Sequence, residues 1–289
     1  MPASDPDKVR VKIWGARGSV PTPGPGTVRY GGNTSCVEVT WGESGRIIFD
    51  AGTGIRLLGE QLSLGGSPPK RIDIVFSHLH WDHIQGLPFF IPMYVSGVEI
   101  HLWGGGGKGF TLDRMMDHQL HSSFFPIGRA SLSAELVFHL IGPGEFDLPG
   151  CRLKVCAINH PGGCYAYRLE VAGKSIVYAT DNERTIDEEL DDYAKELSLI
   201  EMASGADILI HDAQYTIDEY QNFRRGWGHS TFQDAAEVAR SAGINRLVLF
   251  HHDPSHNDSF LETQENILRA DYTDIEEIVM ASELLTLDI

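Results

Sequence analysis

A dense cluster of histidine and aspartate, placed directly after a short apolar run, constrains this chain more than any other feature of its sequence. The run Ile72 to Ser77 has the β-branched and aromatic composition of a buried strand. The clustered residues are His78, His80, Asp82 and His83. A buried polar group without a partner costs about 1 to 3 kcal/mol. Side chains at this density beside a buried strand are therefore expected to bind metal rather than to form an exposed histidine-rich loop.

The spacing within the cluster predicts two adjacent ions. In an extended segment His78 and His80 project to the same side, because side chains alternate with a period of two residues. A turn at Trp81 would direct Asp82 and His83 toward a second point. Two ions need more ligands than these side chains supply, so further ligands are expected at the ends of later strands.

Later strand ends supply such residues. His160 follows the apolar run LKVCAI, and Asp181 follows SIVYAT. His251 and His252 follow RLVLF. An isolated histidine at a strand end is usually just solvated, but together with the first cluster these residues are expected to form one set on one rim of the fold.

Short strand-like runs alternate with helical ones and no charged or proline-rich linker divides them, which predicts one domain over residues 1–289. An antiparallel N-terminal sheet is predicted from Val9 to Trp14, Cys36 to Trp41 and Arg46 to Asp50. A helix over 55–64 and a second β-rich block from about 98 to 178 follow. Two further buried strands are predicted at 207–210 and 246–250.

A helix is predicted to begin near Ser230, which would be its N-cap. Its core-facing stripe, with the i, i+3, i+4, i+7 spacing, is Phe232, Ala235, Ala236 and Ala239. Two halves that each run from sheet to helix predict an α/β fold with two facing sheets and helices on the outer surfaces, a four-layer αββα sandwich.

The charge balance argues against broad binding to polyanions. The chain has 23 Lys and Arg against 40 Asp and Glu, a formal net charge of −17 at pH 7. A field of that sign repels nucleic acid and anionic membranes, so an anionic substrate needs a local cation. The longest apolar stretch, Leu87 to Val95, is interrupted by two prolines and is shorter than the ~20 residues of a membrane-spanning helix.

Other features concern location and assembly. Charged residues in the N-terminal MPASDPDKVR occupy the place of the apolar core of a signal peptide, which predicts a cytoplasmic protein. The four cysteines form no CxxC pair and are predicted to be reduced packing residues. Apolar segments such as Leu87 to Val95 are expected to be exposed, which favours a homodimer.

The HxHxDH motif of residues 78–83 resembles that of the metallo-β-lactamase superfamily, and the similarity extends over essentially the full length. The resemblance implies an αββα sandwich with a binuclear metal site between the sheets. The ligands that it implies are His78, His80 and His160 for one ion, Asp82, His83 and His251 for the other, and Asp181 as the bridge. His252 is the lesser alternative to His251, and Asp50 matches an acidic position that supports the site without binding metal.

Within the superfamily, the second half resembles the branch of ribonuclease Z and the cyclic phosphodiesterases. The stretch ADILIHDAQY resembles a strand of that branch that ends in His-Glu-Ala-Thr, with Asp212 in place of the glutamate, and WGHST resembles its Gly-His-Ser-Thr element. His229 is expected to protonate the departing alkoxide or to hold a phosphate oxygen, while Asp212 orients its ring. Asp82, His229 and Asp212 are thus the predicted catalytic residues.

This chemistry predicts a binuclear metal-dependent hydrolase, a phosphodiesterase that acts on cyclic nucleotides or other small phosphodiesters. A hydroxide that bridges two divalent ions attacks at neutral pH, and both cations polarise a phosphoryl oxygen. Mixed imidazole and carboxylate ligands suit zinc, manganese or iron. Processing of tRNA 3′ ends is disfavoured, because the long arm by which enzymes of the ribonuclease Z type bind tRNA is missing between His160 and Asp181.

Two alternatives stay open. A lactonase or thioesterase on the same scaffold would direct the hydroxide at a carbonyl, which leaves His229 harder to explain. A non-enzymatic binding module would keep the ions for folding alone. The complete ligand set and the candidate proton donor weigh against that second alternative.

Overall fold

Two seven-stranded sheets face each other in this chain. The computed structural model describes residues 8–64, 68–105, 110–185 and 192–289. The strands of the first sheet are β1 Val9–Gly15, β2 Cys36–Trp41, β3 Gly45–Phe49, β4 Arg71–Val75, β5 Glu99–Gly104, β6 Glu135–Leu140 and β14 Thr286–Asp288. Their order is β14-β1-β2-β3-β4-β5-β6. Pairing is antiparallel from β14 to β3 and parallel from β3 to β6, which confirms the antiparallel N-terminal sheet.

The second sheet is built by the second half of the chain. Its strands are β7 Gly144–Leu148, β8 Cys151–Ile158, β9 Cys164–Val171, β10 Lys174–Ala179, β11 Ile208–Asp212, β12 Arg246–Phe250 and β13 Glu277–Met280. Their order is β13-β12-β11-β10-β9-β8-β7. Pairing is antiparallel from β7 to β10 and parallel from β10 to β13. The parallel strands therefore end at the same edge of the sheet.

Helices connect the strands. They are α1 Ile55–Ser63, α2 Trp81–Ile84, α3 Leu112–Gln119, α4 Tyr193–Ala203, α5 Ile217–Glu219, α6 Phe232–Ser241 and α7 Asp258–Asp271. Short 3₁₀ turns lie at Leu87–Phe89, Ile91–Tyr94 and Arg129–Ser131, and a π-helical turn at Tyr220–Arg224 continues α5. One helix, α3, interrupts the predicted β-rich block.

Three hydrophobic clusters separate the layers. The central cluster fills the space between the sheets, and the other two lie between each sheet and its helices. In β12, Leu247 and Leu249 face the helices while Val248 and Phe250 face the opposite sheet. A strand buried on both faces needs an uninterrupted apolar run, and RLVLF supplies it. The predicted αββα sandwich is confirmed.

The N-cap of α6 differs from the prediction. Thr231, rather than Ser230, is the N-cap: its hydroxyl accepts a hydrogen bond from the amide of Asp234, whose carboxylate accepts from the amide of Thr231. Ser230 donates its hydroxyl to the carbonyl of Asn182 and its amide to Asp212. The core-facing stripe is confirmed by the burial of Phe232, Ala235, Ala236 and Ala239.

The segment from Leu87 to Val95 is mostly buried. Its side chains Leu87, Phe90 and Met93 pack in the cluster between the first sheet and its helices, while Phe89 and Ile91 are exposed. The expectation that this stretch forms an exposed apolar surface is therefore wrong for most of it. No helix within the described residues has the length and apolar character to cross a membrane. All four cysteines are free thiols, as predicted.

Candidate metal centre

The two sheets direct polar side chains to one shared rim. The segment that follows β4 contributes four of them, and the segments after β8, β10 and β12 contribute one each. Within each of two groups, the candidate ligand atoms lie within 4.8 Å of one another. The groups are His78, His80, His160 with Asp181, and Asp82, His83, His251 with the same Asp181. The structure thus brings together every metal ligand predicted from the sequence.

Three imidazoles converge in the first group. His160 Nε2 lies 3.1 Å from His80 Nδ1. The Oδ2 atom of Asp181 lies 3.6 Å from His78 Nε2 and 3.7 Å from His160 Nε2. His80 is exposed while the others are buried, so this group opens to solvent. Imidazole nitrogens that converge in this way are suited to hold a divalent cation between them.

The second group is fully buried. His83 Nε2 lies 3.1 Å from Asp181 Oδ1 and 3.3 Å from Asp82 Oδ2. His251 Nε2 lies 3.2 Å and 3.1 Å from the same two oxygens. The two oxygens of Asp181 therefore face different groups, Oδ2 the first and Oδ1 the second. A carboxylate placed in this way can bridge two ions.

Buried nitrogen atoms without partners support binding of divalent cations. His78 Nε2 and His83 Nε2 are inaccessible to solvent and, although oxygens of Asp181 lie 3.6 Å and 3.1 Å away, neither atom forms a hydrogen bond among the described residues. Burial lowers the pKa of His78, of His80 and of His160. These three imidazoles are therefore neutral near pH 7, with lone pairs free to bind a metal ion.

The second group attracts positive charge. Burial opposes ionisation of Asp82 and Asp181, but neighbouring imidazoles, chiefly His83 and His251, outweigh it and lower the pKa of both carboxyl groups. Burial likewise opposes protonation of His83, yet the nearby carboxylates outweigh it and raise the pKa of that imidazole. A proton and a metal ion compete for the same negative potential.

Asp50 lies behind His83 and supports it. Its oxygens accept hydrogen bonds from His83 Nδ1 at 2.8 Å, from the Tyr178 hydroxyl at 2.7 Å, and from the amide and hydroxyl of Ser77 at 2.8 Å each. With four donors on its two oxygens, this carboxylate orients the His83 ring so that Nε2 faces the second group. Ser77 and Tyr178 were not predicted, although Ser77 directly precedes the motif.

Only one of the two adjacent histidines after β12 enters the centre. His252 turns away and donates from Nε2 to the carbonyl of Ala281 at 2.7 Å. Burial lowers the pKa of His252 to about 3, so its ring is a neutral structural donor. The geometry therefore favours His251 as the candidate ligand.

His229 and Asp212 form a pair at the edge of the centre. His229 Nδ1 donates to Asp212 Oδ2 at 2.7 Å, and the amide of Ser230 donates to the other oxygen at 3.0 Å. The His229 ring stacks 5.0 Å from the ring of His251 and lies 5.2 Å from that of His160. Burial opposes its protonation, but Asp212 outweighs burial and raises the pKa of His229 to about 9. A protonated imidazole thus adjoins both groups.

A buried carboxylate fixes the segment that contacts His160. Glu183 accepts hydrogen bonds from the amides of Gly226 and Gly228 at 2.7 Å each, and from the Tyr220 hydroxyl at 2.6 Å. The carbonyl of Gly228 accepts from His160 Nδ1 at 2.9 Å, which leaves Nε2 free for metal. Glu183 was not predicted from the sequence.

The N-terminal glycine-rich segment also contacts the centre. The amide of Ser19 donates to Asp82 Oδ2 at 2.7 Å. Gly18 packs so closely on His251 that a Cβ there would lie 2.6 Å from the imidazole. No local pattern in the sequence predicts these contacts with the metal ligands.

Residues 45–252 match the family described as the Beta-lactamase superfamily domain. The chain belongs to the metallo-β-lactamase superfamily. Relatives of known name that match the chain include proteins named Ribonuclease Z and Ribonuclease BN. A protein named Ribonuclease Z from Ignicoccus hospitalis is 28% identical over 244 residues, which cover 72% of this chain and 77% of that protein.

Solved structures show the same fold over nearly the whole chain. A diphosphatase from the PhnP family aligns with a TM-score of 0.69 and 20% identity, covering 97% of this chain and 98% of that one. Unliganded yeast PDE1 aligns with a TM-score of 0.68 and 16% identity, covering 98% and 99%. Together with the buried histidine and aspartate groups, membership of the superfamily identifies a metal-dependent hydrolase with a binuclear site.

Proposed function

We propose that this superfamily member is a phosphodiesterase that hydrolyses cyclic nucleotides or other small phosphodiesters. The observation that carries the proposal is the hydrogen-bonded pair of His229 and Asp212 beside the metal groups. Phosphodiester cleavage releases an alkoxide that must be protonated. Hydrolysis of a thioester releases a thiolate, which needs no proton donor to leave, whereas a lactone also releases an alkoxide and is separated by the substrate screen below.

We assign one ion to His78, His80 and His160, the other to Asp82, His83 and His251, and the bridge to Asp181. Bound there, two zinc, manganese or iron ions would activate water and neutralise charge on the phosphoryl oxygens. Asp50 orients His83, and the Gly228 carbonyl orients His160. His229 holds Nδ1 against Asp212, so its Nε2 is the atom that delivers a proton to the leaving oxygen.

The likeness to a protein named Ribonuclease Z supports a second candidate, cleavage of precursor tRNA. Against it, the chain between His160 and Asp181 consists of one hairpin, β9 and β10, with a turn at Ala172 and Gly173. No room is left there for a tRNA-binding arm. The net charge of −17 also disfavours binding of a long polyanion such as tRNA.

A hydrolysis screen at controlled metal content tests these candidates. The substrates are bis-p-nitrophenyl phosphate, cyclic mononucleotides, linear dinucleotides, precursor tRNA, and panels of lactones and thioesters. We expect phosphodiester turnover that His229→Ala lowers about 100-fold or more at unchanged metal content. His80→Ala should lose both metal and turnover, while the exposed His121→Ala is the matched control and should retain both.

The outcomes separate the candidates. Turnover of lactones or thioesters alone would favour the alternative hydrolase, and turnover of precursor tRNA alone would favour the ribonuclease. A folded sample that contains both ions and cleaves nothing would support a binding module. Any of these results would overturn the phosphodiesterase proposal.

We also propose a homodimer. Phe89 and Phe124 remain exposed as apolar surface, although most of the segment around Phe89 is buried. Light scattering should give about twice the chain mass of 31.9 kDa. A monomer mass at micromolar concentration would contradict self-association.

A further inference from the structure

Two adjacent arginines near the metal centre have no acidic partner within the part of the chain that the structure describes. Arg224 and Arg225 lie in the segment between α5 and α6, shortly before His229. Most other Lys and Arg side chains of the described residues form ion pairs with Asp or Glu, but these two do not. In a chain with net charge −17, acidic partners are abundant. Cations kept free of them are suited to bind an external anion.

The backbone that presents these arginines is clamped. We call residues 220–228 the arginine loop. Glu183 binds it at Tyr220, Gly226 and Gly228, as described above. Within the loop, the amide of Arg225 donates to the Tyr220 carbonyl at 3.0 Å. The backbone of the loop is therefore held in a defined position, which reduces the entropy cost when its side chains bind a ligand.

Aromatic rings accompany the two cations. Trp227 is 56% exposed, and the Arg224 guanidinium lies 4.4 Å from its ring centroid. The same guanidinium lies 5.8 Å from the ring of Tyr215, which in turn lies 5.9 Å from the His229 ring. A chain of contacts, one edge-to-face ring contact and two cation–π contacts, thus leads from the candidate proton donor to a half-exposed indole. Such an indole is a platform on which a nucleobase can stack.

A large cavity joins the arginine loop to the metal centre. It has a volume of about 1010 Å³, and both His160 and Arg225 line it. Two other cations on its wall, Arg184 and Lys195, are paired with carboxylates. Small-molecule sites measure roughly 300 to 1,000 Å³. A substrate that fills this cavity extends well beyond the reacting phosphate.

The metal centre and the arginine loop would bind different anionic groups of a substrate. Ions held by the metal centre would neutralise the charge of the reacting phosphodiester. Arg225 therefore has no charge to balance unless the substrate carries a second anionic group. We propose that the arginine loop binds a second phosphate through Arg225 and stacks a base on Trp227. The preferred substrates are then phosphodiesters with an additional phosphate, such as dinucleotides with a terminal 5′-phosphate.

This inference rests on the proposed phosphodiesterase function, and a matched set of substrates tests the two separately. The adenine dinucleotide with a 5′-phosphate is compared with the same dinucleotide without it. Bis-p-nitrophenyl phosphate, which has neither base nor second phosphate, reports the basic activity. Lys70→Gln is the matched control, because Lys70 is exposed, lacks an ion pair among the described residues and lies before β4, away from the rim.

We expect the 5′-phosphate to raise kcat/KM about tenfold or more, through KM. Arg225→Gln should remove this preference at unchanged kcat, and Arg225→Lys should restore part of it. Trp227→Phe should keep the preference, while Trp227→Ala should raise KM for both dinucleotides. Turnover of bis-p-nitrophenyl phosphate should be unchanged in all variants.

Several results would overturn the inference while leaving the phosphodiesterase intact. One is equal kcat/KM for the two dinucleotides in the unaltered chain. Another is an equal loss in Lys70→Gln and Arg225→Gln, which would show that net charge alone acts. A loss of kcat for every substrate in Arg225→Gln would indicate a structural role instead. By contrast, absence of any turnover of bis-p-nitrophenyl phosphate would remove the proposed function itself.

Discussion

Individual residues at the metal centre hold backbone conformations that most side chains avoid. Ser19, Asp50, Asp181 and His251 have φ angles of 62°, 58°, 51° and 66°. This left-handed region costs a residue other than glycine roughly 1 to 3 kcal/mol. Each of these residues belongs to one of the two groups or forms a hydrogen bond with a member of them, so the strain is concentrated where side chains need a defined orientation. Surrounding hydrogen bonds, such as those on Asp50, maintain it.

The two glycines bound by Glu183 allow a controlled test at one position. Gly226 and Gly228 have φ angles of 82° and 88°, so alanine should cost a similar strain of about 1 kcal/mol at either. A Cβ at Gly228 would lie 2.2 Å from His160 Nδ1, whereas one at Gly226 meets nothing within 4 Å. Gly228→Ala must therefore displace His160, and Gly226→Ala need not.

We expect Gly228→Ala to lower bound metal per chain and to reduce turnover about 10-fold to 100-fold. Metal content is measured by elemental analysis after gel filtration, and turnover with bis-p-nitrophenyl phosphate. Gly226→Ala supplies the control for backbone strain. Equal metal content and equal turnover in the two variants would show that the Gly228 carbonyl does not position His160.

The variant Asp50→Asn tests whether the Asp50 carboxylate orients the His83 ring. An amide cannot accept hydrogen bonds from all four donors that now face the carboxylate, and it removes the charge that favours the present His83 tautomer. We expect the affinity for one ion to fall about 10-fold to 100-fold, measured by competition with a chelator. Tyr178→Phe removes one donor but keeps the charge and should have a smaller effect. Unchanged affinity in Asp50→Asn would contradict this role.

At the scale of elements, the sequence determines strands better than their connections. The run RLVLF predicts β12 without error, because a strand buried on both faces leaves an apolar run that depends on few distant residues. The cap of α6 was misplaced because Ser230 is recruited by Asn182 and Asp212, which are distant in the sequence. Local propensity favours Ser230 and Thr231 alike, so tertiary contacts decide between them.

The same distinction holds for the candidate site. The candidate ligands could be predicted, because four of them lie in one short motif and the other three directly follow apolar strand-like runs. The supporting residues could not, because Glu183 reaches Gly228 across 45 positions and Tyr178 reaches Asp50 across 128. Such hydrogen bonds leave no periodic pattern in the sequence.

Helix α4 carries a buried carboxyl group that should make stability depend on pH. Burial raises the pKa of Glu196 to about 7, although Arg184 at 3.3 Å opposes the shift; Asp234 also faces this cluster and adds to the shift. Its ordinary value is 4.5. Because the folded pKa lies above the unfolded one, ionisation costs stability: the cost is absent below about pH 4.5, grows as pH rises and is complete above about pH 7.

Glu196→Gln should remove that dependence. We expect the variant to gain stability relative to the unaltered chain between pH 5 and pH 8, by up to about 3 kcal/mol. Urea unfolding at several pH values measures the difference. Glu60→Gln, at an exposed ion pair with Arg56, is the control and should show no such trend. Parallel pH profiles for Glu196→Gln and the unaltered chain would rule out the effect.

At the scale of the whole molecule, the candidate ligands join two sheets that come from different parts of the chain. Four ligands follow β4 of the first sheet, and the other three follow strands of the second. The interface between the two sheets consists of apolar side chains, those of the central hydrophobic cluster. Ions at the rim would add a second, directional connection between the same layers.

Metal binding is therefore expected to raise the melting temperature. An ion at 100 times its Kd that binds only the folded state stabilises it by about 2.7 kcal/mol, which for a chain of this size corresponds to a rise of roughly 4 °C. Chelator-treated protein titrated with zinc or manganese in a thermal unfolding assay measures this shift. His80 is exposed, so His80→Ala removes one ligand of the first group without opening the core and should reduce the shift. His121→Ala should leave it unchanged, whereas the same shift in His80→Ala as in the unaltered chain would mean that the stabilising ions bind elsewhere.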